Sequence, residues 1–472
     1  MADIINLLRE FLPHISNIVI WVLFAIFLII QISDDGDKII KLFNGLKTKF
    51  NLAEKFIWSK IRVRYDKVLY SDDFMKWQSD ILHAIYAPLI EKTNEKYQKK
   101  GLIDFTKLDI DNHKEEYESI TLRLPIRPFP FQGVCPKDKL DVSGPDISSN
   151  GDRSIINNNP KLVKHYYKII KSTIRYPKRM GYMLEQIHLE DINNWYVEAY
   201  CGNFENNLKT SHILEYELYK AYCSNKDIVH KDRQEILEHL PIRKSIHDKF
   251  EREEDVLISG KGRVSLMGVQ MLVLVKNNSN SYDTLRIRRS AEVSAKPGFL
   301  QFIPSGGFEA MNDCTDFDSQ WDNYSLKKAI FRELLEECFG QDEDDKKATG
   351  NNVSPDRIYH NTHIKNLLQM LESGKAEMQL LGTTMSLVGL RHEFSFIVKI
   401  DNPDFAEMLV GNYESKTAVH LVHIKMMEKY KFWNHDANDG RNDLKILNCT
   451  SAGLFELARE SKIYQRALGI YE

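Results

Sequence analysis

The stretch Arg332-Glu333-Leu334-Leu335-Glu336-Glu337 places three glutamates at i, i+3 and i+4, a spacing that brings them together only on a helix. Glu333 and Glu337 form a like-charge i,i+4 pair, which costs about 0.2–0.5 kcal/mol on an exposed helix. At ~100° per residue Glu337 points within roughly 20° of Ile330, a member of the apolar face. Carboxylates flanking a buried stripe call for a cation, and a divalent metal suits them, because hard cations take carboxylate oxygens. The competing reading is an acidic, solvated helix face, so the surrounding sequence has to decide.

At the other end of the chain, Ile15 to Ile32 (ISNIVIWVLFAIFLIIQI) runs eighteen residues without a charge. That length is near the minimum for crossing a ~30 Å hydrocarbon core. The preceding segment holds Asp3, Arg9 and Glu10 and lacks a small-residue cleavage pattern, which argues against a secretory signal peptide. Residues 15–32 are therefore expected to be a transmembrane helix after a short segment 1–14. Lys38, Lys41, Lys47, Lys49, Lys55, Lys60, Arg62 and Arg64 follow the run, so a single-pass protein with its C-terminal bulk in the cytoplasm is expected. The six cysteines form no CxxC or metal-ligand spacing and read as free thiols in a reducing compartment. A formal net charge of −3 over 472 residues gives no reason to expect a nucleic-acid partner.

Between the run and the acidic stretch the pattern changes twice. Residues 33–120 are expected to be a juxtamembrane helical region, with Phe74, Trp77, Ile81, Leu82 and Ile85 at helical spacing. Residues 121–255 read as a mixed helical and strand region, mostly helical. It opens with a Pro-rich loop from Leu122 to Pro160, followed by a basic helix over Lys161–Ile174, strands between Tyr182 and Phe204, and a helix over Ile213–Cys223. No catalytic constellation stands out there.

Residues 256–472 carry the signal. Val264–Lys276 and Leu285–Val293 read as strands, and Leu300–Pro304 leads into Gly306-Gly307. A helix is expected over Ser325–Phe339, then a hairpin of Glu377–Leu387 and His392–Ile400 around Val388-Gly389-Leu390-Arg391, then a terminal helix over Ser451–Leu468. Strands, helix, strands and helix in that order predict an α+β fold, an α/β/α sandwich.

Pro304-Ser305-Gly306-Gly307-Phe308-Glu309 followed by Arg332-Glu333-Leu334-Leu335-Glu336-Glu337 resembles the box of the Nudix hydrolase superfamily: a glycine pair, a loop with glutamates, then REUxEE with U aliphatic. Arg288, Arg289 and Phe302-Ile303-Pro304 resemble the lead-in strand and turn of that family. Two departures stand out. Twenty-four residues separate Gly307 from Arg332, about twice the family's spacing, and the excess is acidic, with Asp316, Asp318 and Asp322 as possible substitutes for the missing loop ligands. The glutamate expected eight residues before the arginine falls on Tyr324, and Glu309 is one place early for the other loop glutamate.

The resemblance implies hydrolysis of a nucleoside diphosphate-linked substrate with Mg²⁺ or Mn²⁺. Glu333, Glu336 and Glu337 would be the ligands, Glu333 alternatively the base, and Arg332 would orient the cluster. Gly306, Gly307, Arg286, Arg288 and Arg289 would meet substrate, and Glu393 is a further candidate base. The architecture also resembles membrane-anchored Nudix modules of bacterial cyclic-oligonucleotide systems of antiviral defence, which implies a catalytically weak sensor that binds a nucleotide and signals at the membrane. A homo-oligomer is compatible with either reading.

Overall fold

The computed structural model describes residues 57–471 apart from 132–133, 135, 137–138, 142–155, 157, 172–173, 175–178, 190–193, 290–297, 311–323, 341–354, 410–418 and 434–442. The expected membrane span and the acidic insertion with Asp316, Asp318 and Asp322 lie outside the described residues. Among the described residues no helix is long and apolar enough to cross a membrane. Residues Met1–Arg64 form one unit, whose described part, 57–64, is helical; Tyr65–Glu472 form a second, described below.

The second unit is mixed α/β, built on a curled sheet of ten strands. Helix α1 (Asp72–Lys96) comes first, with Ser71 accepting a hydrogen bond from the Phe74 amide at its N-terminus. It buries Phe74, Trp77, Ile81, Leu82 and Ile85, the residues at helical spacing. The next stretch departs from the helical expectation for residues 33–120. Strands β1 (Ile103–Ile110) and β2 (His113–Leu122) form a hairpin whose two-residue turn, Asp111-Asn112, has φ of 50° and 64°. Such a turn matches the right-handed twist of paired strands, and Asp and Asn tolerate it better than most residues. Leu108 and Ile110 are buried while Lys107 and Asp109 point out, the period of two that a helix cannot use.

Strands β3 (Arg127–Pro128) and β4 (Leu140–Asp141) fall in the Pro-rich stretch, and α2 (Pro160–Ile170) follows it. Strands β5 (Met180–Leu189) and β6 (Trp195–Asn203) pair antiparallel in a separate three-stranded sheet with β4. Helices α3 (Ile213–Ser224), α4 (Arg233–Glu238) and α5 (Pro241–His247) then lead to the strands of the large sheet. These are β7 (Gly268–Lys276), β8 (Tyr282–Arg288), β9 (Leu300–Phe302) and β10 (Ser305–Gly307). Helix α6 (Leu326–Cys338) follows, capped by Ser325 accepting from the Lys328 amide, then α7 (Thr362–Glu372). Strands β11 (Ala376–Ser386), β12 (Arg391–Ile400) and β13 (His420–His423) complete the sheet.

The main path through the sheet is β1-β2-β11-β12-β7-β8-β13, with β12 and β7 parallel and β10 paired to β7. The hairpin β1–β2, with the two-residue strand β3 that pairs to β11, thus extends a sheet whose remaining strands lie beyond residue 267. The terminal helix is two helices, α8 (Cys449–Glu460) and α9 (Lys462–Leu468), because Ser461 turns its hydroxyl onto the Tyr464 amide and starts a new helix. Leu454, Phe455, Leu457 and Ala458 of α8 bury themselves with Leu272, Leu274 and Ile397 of the sheet.

The middle region, together with Arg263 just after it, grips this sheet through the β11–β12 turn. All four carbonyls of Leu387-Val388-Gly389-Leu390 accept side-chain hydrogen bonds. Arg243 of α5 donates to Leu387 and Val388 at 2.9 and 2.8 Å, and Ser211 to Gly389 at 2.5 Å. Arg263 donates to Leu390 at 3.0 and 2.8 Å. Both arginines are fully buried, so backbone oxygens take the place of water around their charge.

Candidate active site

Helix α6 lies against β10 and β7, and its first buried polar side chains are Arg332 and Glu333. Arg332 donates to the Glu309 carbonyl at 2.9 Å, to the Gly307 carbonyl at 2.8 Å and to the Glu333 carboxylate at 2.9 Å. Its Nε lies 3.9 Å from Glu336. One side chain thus ties the glycine-pair strand, the following loop and two helix glutamates together. Burial by itself would lower its pKa, but the carboxylates of Glu333, Glu309 and Glu336 hold it above the ordinary guanidinium value.

Gly306 explains why a glycine stands in β10. A Cβ there would fall 2.0 Å from Oε2 of Glu333, so the buried carboxylate occupies the volume any other residue would need. Glu337 is engaged differently: its Oε2 accepts from the Ser305 amide at 2.6 Å, fixing the entry to β10. Of the three helix glutamates, Glu337 anchors backbone, Glu333 is locked by Arg332, and Glu336 has the longer contact to Arg332, at 3.9 Å.

Glu309 completes the group. It pairs with Arg179 at 2.7 Å, an arginine just before β5 and about 130 residues earlier in the chain. Burial and the negative charge of Glu333 push the Glu336 carboxyl well above the usual carboxylate range, with Arg332 and Arg179 opposing and Glu309 adding to the shift. Glu333 is raised as well, by burial first, with Arg332 pulling it down and Glu309 pushing it up. The cluster is short of positive charge.

Other expected residues have partners of their own. Arg286 and Arg288 share one face of β8 and both pair with Asp443, at 3.4 and 3.3 Å. Arg286 also lies over the Phe432 ring. Alternation puts Arg289 apart from them; it bonds Gln301, and burial lowers its pKa against the pull of Glu337 and Glu393. Glu393 is on β12 opposite Gly268. By register it shares its side of the sheet with Ser395 and Gln270, whose amide donates to the Ser395 hydroxyl and to the Thr450 carbonyl of α8. It does not join Glu333 and Glu336, which approach Gly306 from α6. A Cβ on Gly268 would lie 2.6 Å from Cγ of Glu393, so each side of the sheet uses a glycine to admit a carboxylate.

Tyr324, at the position of the missing loop glutamate, is a core residue. Its ring stacks on Phe308 with centroids 5.5 Å apart and lies 4.9 Å from Tyr182. Tyr324→Ala is expected to cost about 3–5 kcal/mol, the scale for a large core side chain. Tyr324→Glu should cost a similar amount by burying a charge. Urea denaturation checks this, and an unchanged midpoint for the glutamate variant would place the position outside the core.

Sequence reasoning missed Arg179 and the spacing roles of Gly306 and Gly268. Gly306 could have been suspected from its strand, where glycine marks close approach. Nothing local to Arg179 signals its partner. No protein-family model matches the chain, and no curated protein matches it.

Among the described residues no three His, Cys, Asp or Glu side chains are grouped so as to hold a metal ion as they stand. The guanidiniums of Arg332 and Arg179 take up part of the charge of the cluster. The donor set nevertheless fits a hard divalent cation: three carboxylates, two of them destabilised in their charged form by burial and by neighbouring carboxylates, are what such an ion relieves.

Proposed function

We propose that the chain is a membrane-anchored Nudix-type hydrolase that cleaves a nucleoside diphosphate-linked substrate with a divalent metal. The observation that carries this reading is the convergence of Gly306, Gly307, Glu309, Arg332, Glu333 and Glu336 in one buried, charge-deficient cluster. Glu336 and Glu333 would hold Mg²⁺ or Mn²⁺. When bound, the ion supplies Lewis-acid polarisation of a phosphoryl oxygen and a more acidic water. The protein does the rest. Arg332 fixes Glu333 relative to the glycine pair, Glu337 holds the Ser305 amide and so the turn, and Gly306 leaves room for the carboxylate.

The test is release of phosphate or mononucleotide from a panel of nucleoside diphosphate derivatives by the full chain, with and without Mn²⁺. The proposal expects metal-dependent turnover of at least one member, abolished in Glu336→Gln. Glu337→Gln should lose less activity and more stability, because that carboxylate holds backbone. A second reading, a nucleotide sensor with weak or no turnover, is favoured by the aromatic at position 324 and by Glu393 lying across the sheet. Tight nucleotide binding without hydrolysis by any panel member would support it and overturn the first.

A further inference from the structure

We infer that Arg179, delivered by the middle region, is a built-in counter-ion that competes with the divalent metal at the acidic cluster and sets its affinity. The inference rests on the metal-binding reading above. Its basis is the way β5 reaches the cluster. The Tyr182 amide donates to the Phe308 carbonyl at 2.9 Å and the Ala310 amide to the Met180 carbonyl at 3.0 Å. Gly181 and Glu309 form a bridge between these bonds. This backbone ladder runs along the segment that follows the glycine pair, so Arg179 enters the site in a fixed register.

Its guanidinium then meets Glu309 at 2.7 Å, with the Arg179 side chain only 20% exposed. Its charge is also felt by Glu333 and Glu336. Three carboxylates therefore share two guanidiniums, Arg332 from within the helix and Arg179 from outside it. Arg332 is tied to two carbonyls and cannot leave without stranding them. Arg179 pairs with Glu309, which is the carboxylate it withholds from a metal. Loss of the arginine removes a like charge from the ion's surroundings and releases a third oxygen ligand, and both changes act in the same direction.

The experiment is Mn²⁺ binding to the full chain, by titration with electron paramagnetic resonance or calorimetry, in wild type, Arg179→Gln, Arg179→Lys and Arg179→Gln/Glu309→Gln. Arg179→Gln is expected to tighten Mn²⁺ binding about tenfold, the effect of one unit charge some ~7 Å away at an effective dielectric between protein surface and water. Arg179→Lys keeps the charge and should stay near wild type. The double variant should fall back toward it, because the released carboxylate is gone. If Arg179→Gln does not fold, Glu309→Gln serves. It leaves the arginine charge beside Glu333 and Glu336, and Mn²⁺ binding should weaken by about tenfold or more. Wild-type Mn²⁺ binding with no change in Arg179→Gln, or in Glu309→Gln where that variant stands in, overturns the inference and leaves the metal-binding reading intact. No Mn²⁺ binding by any of the proteins overturns both.

Discussion

Gly306→Ala is expected to lose about 3–5 kcal/mol of stability and with it the order of the acidic cluster, although it adds a single methyl group. The new Cβ would lie 2.0 Å from Oε2 and 2.2 Å from Cδ of Glu333, far inside contact distance. Glu333 is 7% exposed and bonded to Arg332, so it cannot rotate aside within its pocket. If it leaves, Arg332 loses a charge partner at a buried site, a change that costs about 3–5 kcal/mol. Gly307→Ala is the comparison, because its Cβ would meet the nearest atoms at 3.2 and 3.3 Å, both side-chain carbons of Glu309 and Leu266. That approach asks a side chain to yield by tenths of an ångström and should cost far less. Urea denaturation of both variants measures the difference. Equal midpoints would show that Glu333 does not fill the space over Gly306.

The second large effect concerns the grip on the β11–β12 turn. Arg243→Met removes a fully buried guanidinium that donates to Tyr86 at 2.7 Å and to the carbonyls of Leu387 and Val388. It also removes the positive charge nearest Glu217, whose carboxylate accepts the amides of Ile242 and Arg243 at 2.5 and 3.2 Å. Breaking one side of such a buried arrangement costs about 3–5 kcal/mol. The pH dependence carries a signature. Burial raises the Glu217 carboxyl to about 7, even with Arg243 pulling it down. The folded protein therefore holds this proton more tightly than the unfolded chain, and stability falls as pH rises from the ordinary carboxylate value through about 7. In Arg243→Met that pull is lost, so the fall should extend to higher pH and be larger in total. Glu217→Gln should flatten this part of the profile. A variant profile parallel to that of wild type would mean that the two groups do not interact.

Much of the secondary structure was legible, and the reasons are local. The helix carrying Arg332 and the glutamates starts at a serine cap and ends at the expected phenylalanine, because an apolar stripe at period 3.6 and a capping residue both fix it. The β11–β12 hairpin follows from apolar runs around a four-residue turn. The hairpin of β1 and β2 was hidden because its neighbour in the sheet, β11, comes more than two hundred residues later, and pairing at that range leaves no mark in a short window. The single terminal helix became two for the opposite reason: Ser461, one residue, outweighs the continuing apolar pattern. In the site, what lay on one helix was readable and what came from elsewhere was not. Arg332 and Glu336 were placed together by spacing, whereas Arg179 reaches Glu309 only through tertiary contact. Strand alternation separates Arg289 from Arg286 and Arg288, but the partner that claims the latter two, Asp443, is again remote in sequence.

The central claim is that the chemistry gathers at Glu333 and Glu336 of α6 beside β10 and not at Glu393 of β12. The most direct test is kcat/KM of the full chain on its best nucleoside diphosphate derivative with Mn²⁺, compared in wild type, Glu336→Gln and Glu393→Gln. Outer partners of metal ligands cost about 10–100-fold when removed, so loss of a ligand should exceed that range. The account predicts a fall of more than about a hundredfold for Glu336→Gln and less than about tenfold for Glu393→Gln. Full activity in Glu336→Gln, or a Glu393→Gln enzyme as inactive as it, would contradict the account.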